Sequence, residues 1–191
     1  MFNFQSLRSA ALIFIVSILL AGSAGANTLK SIPVGPKVGT TVPEVAVTNY
    51  QGKLQSLSDL YGEKGVVIVF FRSADWCPFC KKHLIELNEV AKQVKASGYN
   101  MVGLSYDSNE VMASFATMNN LHFDLLSDVN NQTIKSYGVL NKDYQEGHRF
   151  YGIPYPGIMV ITPDGKLQDK YFYMGYKKRV RAEKLLATLG N

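Results

Sequence analysis

Val66-Val67-Ile68-Val69-Phe70-Phe71, followed by Arg72-Ser73-Ala74-Asp75-Trp76-Cys77-Pro78-Phe79-Cys80, decides the fold of this chain. The first six residues form an unbroken β-branched and aromatic run. A strand of that composition is buried on both faces, as in a central parallel sheet. Past Cys80, Leu84, Leu87, Val90, Ala91 and Val94 recur at helical spacing, and Gly98 ends the stripe. Met101 to Ser105 is strand-like again. The three pieces make a βαβ unit, whose crossover is right-handed by the usual steric rule.

Outward from this unit the alternation continues. Glu110 to Met118 predicts a helix, Phe123 to Leu126 a short strand, and Asn130 to Tyr137 another helix. Residues 138–154 read as a long loop. Ile158 to Ile161 is a strand, and Thr162-Pro163-Asp164-Gly165-Lys166 carries strong turn chemistry. Leu167 to Tyr173 then pairs back as a hairpin, and Arg179 to Leu189 predicts a closing helix. On the amino side, Glu44 to Thr48 leans toward a short strand, and residues 27–43 are an extended lead-in broken by Pro33, Pro36 and Pro43. Strands alternating with helices and ending in a hairpin predict an α/β fold with a central mixed sheet flanked by helices.

The amino terminus is set apart by composition. Arg8 precedes an almost wholly apolar run, Ala10 to Leu20, and small residues follow to Ala24-Gly25-Ala26. This is the layout of a secretory signal peptide over residues 1–26. A membrane anchor needs about 20 consecutive apolar residues, more than this run supplies. The expectation is export, to the periplasm in a Gram-negative cell, with a single domain over residues 27–191 and no membrane association after cleavage. Removing Arg8, and no acid, takes the formal charge from +5 to +4. Lys177, Lys178, Arg179, Arg181 and Lys184 carry part of it. They read as a solvated face at the start of the closing helix, or as a patch for an acidic partner or lipid head groups. Nothing points to nucleic acid.

Two cysteines, three positions apart, carry the chemistry. A bridge closing so short a loop removes little unfolded-state entropy, so its use is reactivity or metal binding rather than stapling. Cys77 falls at the start of a helix, where unpaired backbone N–H groups and the positive dipole end stabilise a thiolate. Pro78 suits the first helical position, where no N–H is needed. Lys81, Lys82 and His83 add positive charge, and Asp75 opposes it. Zinc would need further ligands, and His83, His122 and His148 are scattered. Tyr155-Pro156-Gly157 leads into the later strand as a kinked turn, or as a cis Tyr155–Pro156 bond beside the cysteines.

The pattern of strand, Trp76-Cys77-x-x-Cys80, helix and later proline resembles the thioredoxin fold. More of the chain resembles the alkyl hydroperoxide reductase and thiol-specific antioxidant (redoxin) branch of that superfamily. The matching stretches are Val66 to Leu87, Gly103-Leu104-Ser105-Tyr106-Asp107, Leu125-Leu126-Ser127-Asp128, Tyr137-Gly138-Val139 and Pro156 through Lys166. The resemblance implies an enzyme needing no cofactor and no metal. It implies Cys77 as nucleophile and Cys80 as resolving cysteine, with Trp76, Tyr155 and a cis Pro156 lining the substrate site. The peroxiredoxin branch has the pattern Pro-x-x-x-Thr-x-x-Cys. On that alignment Cys80 takes the peroxidatic place, Cys77 the threonine place and Ser73 the proline place. Expected partners are client protein disulfides or a peroxide, and an external thiol/disulfide couple. A third expectation, copper binding by the cysteine pair and His148, follows from exported thioredoxin-fold proteins of that kind.

Overall fold

The computed structural model describes residues 29–190; the expected signal segment lies outside the described residues. Seven strands form one mixed sheet: β1 (Val47–Asn49), β2 (Leu54–Gln55), β3 (Gly65–Phe70), β4 (Tyr99–Ser105), β5 (Asp124–Ser127), β6 (Gly157–Ile161) and β7 (Leu167–Phe172). Four helices accompany them: α1 (Pro78–Ala96), α2 (Asn109–Met118), α3 (Gln132–Ser136) and α4 (Ala182–Leu189). The strand order is β2-β1-β5-β4-β3-β6-β7. β3, β4 and β5 run parallel, while β6 pairs antiparallel with β3 and β7 with β6.

Every residue of β3 is buried, because the strand separates two cores. Val67 and Val69 face one side, with Leu84, Leu87, Ala91 and Val94 of α1, Met112 and Phe115 of α2, and Leu185 and Leu189 of α4. Val66, Ile68 and Phe70 face the other, with Ile134 of α3, Tyr137, Val139 and Leu60. Each fully buried apolar side chain contributes about 1.5–3 kcal/mol, so the run from Val66 to Phe71 is a dense source of stability. Gly157 opens β6 under the ring of Phe172. A Cβ there would fall 2.2 Å from that ring, so only glycine allows the strand to start where it does.

The outer edge of β7 is strapped by the lead-in. Ser31 bridges Tyr173 and Thr41 bridges Lys166. Between them the Lys170 ammonium donates to the carbonyls of Val34 and Pro36, at 2.8 and 2.6 Å. Most predicted elements match within a residue or two, but β1 starts at Val47 rather than Glu44, the two-residue β2 is unexpected, and the closing helix differs. α4 begins at Ala182, so Arg179 lies in the β7–α4 connection and not on a helix face. The hydrophobic stripe Ala182, Leu185, Leu189 starts only there, and the preceding basic run carries no helical periodicity of its own.

Candidate active site

The connection from β3 to α1 is locked before the cysteines begin. Asp107, just past β4, accepts a hydrogen bond from the Ala74 amide at 2.6 Å and one from the Ser105 hydroxyl at 3.0 Å. Burial pushes the Asp107 carboxyl above its ordinary value, against these hydrogen bonds. The Ser73 hydroxyl accepts from the amides of Asp75 and Trp76. The Trp76 indole N–H donates to the Tyr106 hydroxyl at 3.0 Å. A buried carboxylate and a serine thus satisfy the backbone of the turn, which would otherwise bury unpaired N–H groups at considerable cost.

Cys77 is the N-cap of α1 with extended backbone, and Pro78 follows at the first helical position. The Cys80 amide donates to the Cys77 sulfur at 3.3 Å. The sulfur therefore occupies the place that a serine or aspartate oxygen takes in an ordinary cap. Cys77 and Cys80 are joined as a disulfide, with their Cα atoms 5.3 Å apart. Cys77 is 1% exposed and Cys80 0%, so the bridge is covered in this state.

The cover is aromatic and cationic. Trp76 stacks on Phe150 with ring centroids 4.5 Å apart. The guanidinium of Arg72, only 6% exposed, lies 4.8 Å from the Trp76 ring centre and 4.7 Å from that of Tyr176. Arg179 donates to the Cys80 sulfur at 3.7 Å and to the carbonyl of Lys178 at 2.8 Å. Burial first, and then the neighbouring Arg72 charge, lowers Arg179 to about 10. Among the described residues neither arginine forms an ion pair, and the Nε atoms of both are buried without a hydrogen-bond partner. The Arg179 guanidinium therefore meets the disulfide, with the Arg72 charge near it, and among the described residues no carboxylate is paired with either.

Sequence reading missed much of this. Arg72 was visible beside the strand, but it gave no sign of packing between Trp76 and Tyr176. Arg179 stands 99 residues from Cys80, and no spacing could connect them. His83 does not add positive charge. Burial, outweighing its bond to the Val180 carbonyl, lowers it to about 4, so the ring is neutral at pH 7. Its Nε2 lies 2.9 Å from that carbonyl. His148 packs with Tyr144 and Phe150. Among the described residues no three His, Cys, Asp or Glu side chains gather as metal ligands.

The expected cis bond before Pro156 is corrected. Among the described residues no peptide bond is cis. Trans is the ordinary preference of an X–Pro bond, by about 0.5–1 kcal/mol. The Tyr155 amide donates to the Val139 carbonyl at 2.7 Å, and Leu140 bridges Pro154, so the segment stays extended up to Gly157. Tyr155 and Pro156 line a cleft of about 440 Å³ with Tyr144, Tyr173 and Tyr176. Cys77 and Cys80 are not among its lining residues, and Tyr176 joins it to the cover of the disulfide.

A vicinal cysteine pair at the start of a helix, directly after a central strand of a mixed sheet, defines a thioredoxin-fold redox protein. The chain belongs to the AhpC/TSA family, whose family model matches residues 38–170. A protein described as a putative peroxiredoxin bcp of Coxiella burnetii is 34% identical over 117 residues, covering 61% of this chain and 76% of that one. The thiol-disulfide oxidoreductase ResA of Bacillus cereus is 28% identical over 157 residues, covering 80% and 82%. Among solved structures, peroxidoxin BcpB of Mycobacterium tuberculosis superposes with a TM-score of 0.71 at 27% identity, covering 81% of this chain and 96% of that one. The chain is an oxidoreductase with a redox-active cysteine pair.

Proposed function

We propose that the chain is an exported thiol–disulfide oxidoreductase in which Cys77 is the sulfur that exchanges with a partner. The observation that carries this reading is the capping geometry. The Cys77 sulfur replaces a cap oxygen and receives the Cys80 N–H at 3.3 Å, a setting that favours thiolate over thiol. The Cys77 thiolate attacks one sulfur of a client disulfide, and the other client sulfur leaves as a thiolate that takes up a proton. Cys80, deprotonated, then attacks Cys77, and the second client thiolate departs. The client gains two electrons and the Cys77–Cys80 disulfide forms. Arg179 fits the return step. When a reducing thiolate attacks Cys77, Cys80 is the leaving group, and a cation at 3.7 Å makes it a better one. Export rests on the segment 1–26, and a fusion of that segment to a reporter active only outside the cytoplasm tests it.

The same contact favours a second reading, a thiol peroxidase. There Cys80 as thiolate attacks a peroxide oxygen and becomes a sulfenic acid, releasing water or an alcohol. Cys77 condenses with it, losing water and forming the disulfide. The experiment that divides the two is to mix the reduced protein with hydrogen peroxide and, separately, with a disulfide peptide. Trp76 is the only tryptophan and adjoins Cys77, so its fluorescence follows oxidation. Fast response to the disulfide and slow response to peroxide is the expected result. The reverse overturns the first reading.

A further inference from the structure

Another cleft, of about 320 Å³, runs between the first turns of α1 and the segment that precedes α4, and Arg179, which donates to the Cys80 sulfur, is among its walls. Phe79, Lys82, Lys177, Lys178 and Arg181 line it, and Glu86 is its one acid. Glu86 is turned to the protein, where it faces the Ala182 amide at 3.5 Å. Lys82, Lys177 and Lys178 are exposed and, among the described residues, form no ion pair. The basic run is thus a solvated face gathered at the redox centre, not spread along a helix.

At the centre of this face the surface is apolar. Phe79, between the two cysteines, is 39% exposed, and Tyr176 is 45% exposed. The two rings meet edge-to-face at 5.8 Å, and the Lys177 ammonium lies within 5.6 Å of both ring centres. An aromatic centre with a charged rim is the anatomy of a protein-binding face. Lys82, Lys177, Lys178 and Arg179 outnumber the single acid Glu86, which is turned to the Ala182 amide, so complementarity specifies the partner's charge.

We infer that this face docks a partner protein whose exchanging cysteines are flanked by acidic residues. The inference rests on the exchange reading only in requiring a protein partner. The lysines steer the partner in and Phe79 with Tyr176 seats it beside the cysteine pair. Steering of this kind raises association rates by about tenfold to a thousandfold at low salt and fades as salt screens it.

Three labelled peptides of equal length test the face, each with one disulfide loop flanked by acidic, neutral or basic residues. Binding is read by anisotropy against the oxidised protein, using versions with serine for cysteine that cannot react. Exchange is read with the intact loops by Trp76 fluorescence. The expected result is acidic over basic by at least about tenfold at low salt in both readouts. The triple substitution Lys82→Glu, Lys177→Glu, Lys178→Glu should reverse that order. Equal binding of the three peptides overturns the inference, as does binding of phosphatidylglycerol-rich vesicles in preference to the acidic peptide. Failure of the neutral loop to exchange would count against the exchange reading alone, because the serine peptides still report docking.

Discussion

Two segments enclose the disulfide, and they stabilise charge by different means. The β3–α1 connection acts through backbone. It presents an amide and a helix dipole to Cys77 and is itself fastened by Ser73 and Asp107. The β7–α4 connection acts through a full charge, the Arg179 guanidinium at Cys80. A dipole at a helix end contributes about 0.3–1 kcal/mol, rising to about 2 in buried geometry. A cation within contact range lowers an acid by about 1–3 pKa units, which is as large or larger. A vicinal pair can therefore divide its labour. On the exchange reading proposed above, the capped sulfur meets the partner and the sulfur beside the arginine is the better leaving group.

The largest effect should come from removing either sulfur. Cys77→Ser should drop disulfide exchange to background. If full exchange survives in Cys77→Ser and vanishes in Cys80→Ser, the division of roles is reversed. Next is the seam between the two segments, His83 of α1 against the Val180 carbonyl. Its pKa is lowered from 6.5 to about 4 in the fold. The unfolded chain therefore binds more protons between these values. Stability is complete above about pH 6.5 and falls as pH drops toward 4, by up to about 3 kcal/mol. Urea unfolding across that range should show the loss, and His83→Gln should flatten it.

Arg179→Met sharpens the comparison further. In a Cys77→Ser background, the ultraviolet thiolate signal of Cys80 should titrate about 1–2 pH units higher once the cation is gone. Reduction of the wild-type disulfide by a small thiol should slow several-fold in the same single variant, and Arg179→Lys should restore part of it. An unmoved titration would mean that Arg179 serves packing alone. The smallest effect is expected at the cover. Phe150→Ala removes the stack on Trp76, worth about 0.5–1.5 kcal/mol. It should speed reduction by bulky thiols more than by small ones, measured as the ratio of the two rates.

The first segment was legible in the sequence and the second was not, for a physical reason. Val66 to Phe71 is a continuous apolar run because β3 is buried on both faces, and the stripe from Leu84 to Val94 is periodic because one face of α1 packs on the sheet. Cys77, Pro78 and Cys80 carry a local signature because capping is local. Residues 174–181 obey no period. Arg179 is placed by the return of β7 toward α1, a relation across 99 positions. Its neighbours Lys177 and Lys178 are exposed, so composition alone assigned all of them to solvent. The cis form expected at Pro156 failed because it depended on resemblance. The hydrogen bond from Tyr155 to Val139 shows an extended segment that needs no such bend.

The strap over β7 has a consequence for how this molecule meets others. An uncovered edge strand invites another chain to add itself to the sheet through backbone pairing. Here the far edge, β2, is two residues long. The near edge is occupied at both ends by Ser31 and Thr41, and Lys170 holds the intervening carbonyls with its ammonium. Neither margin of the sheet offers a ladder to a stranger. On the exchange reading, a client protein brought alongside for its disulfide would find no open strand edge to pair with.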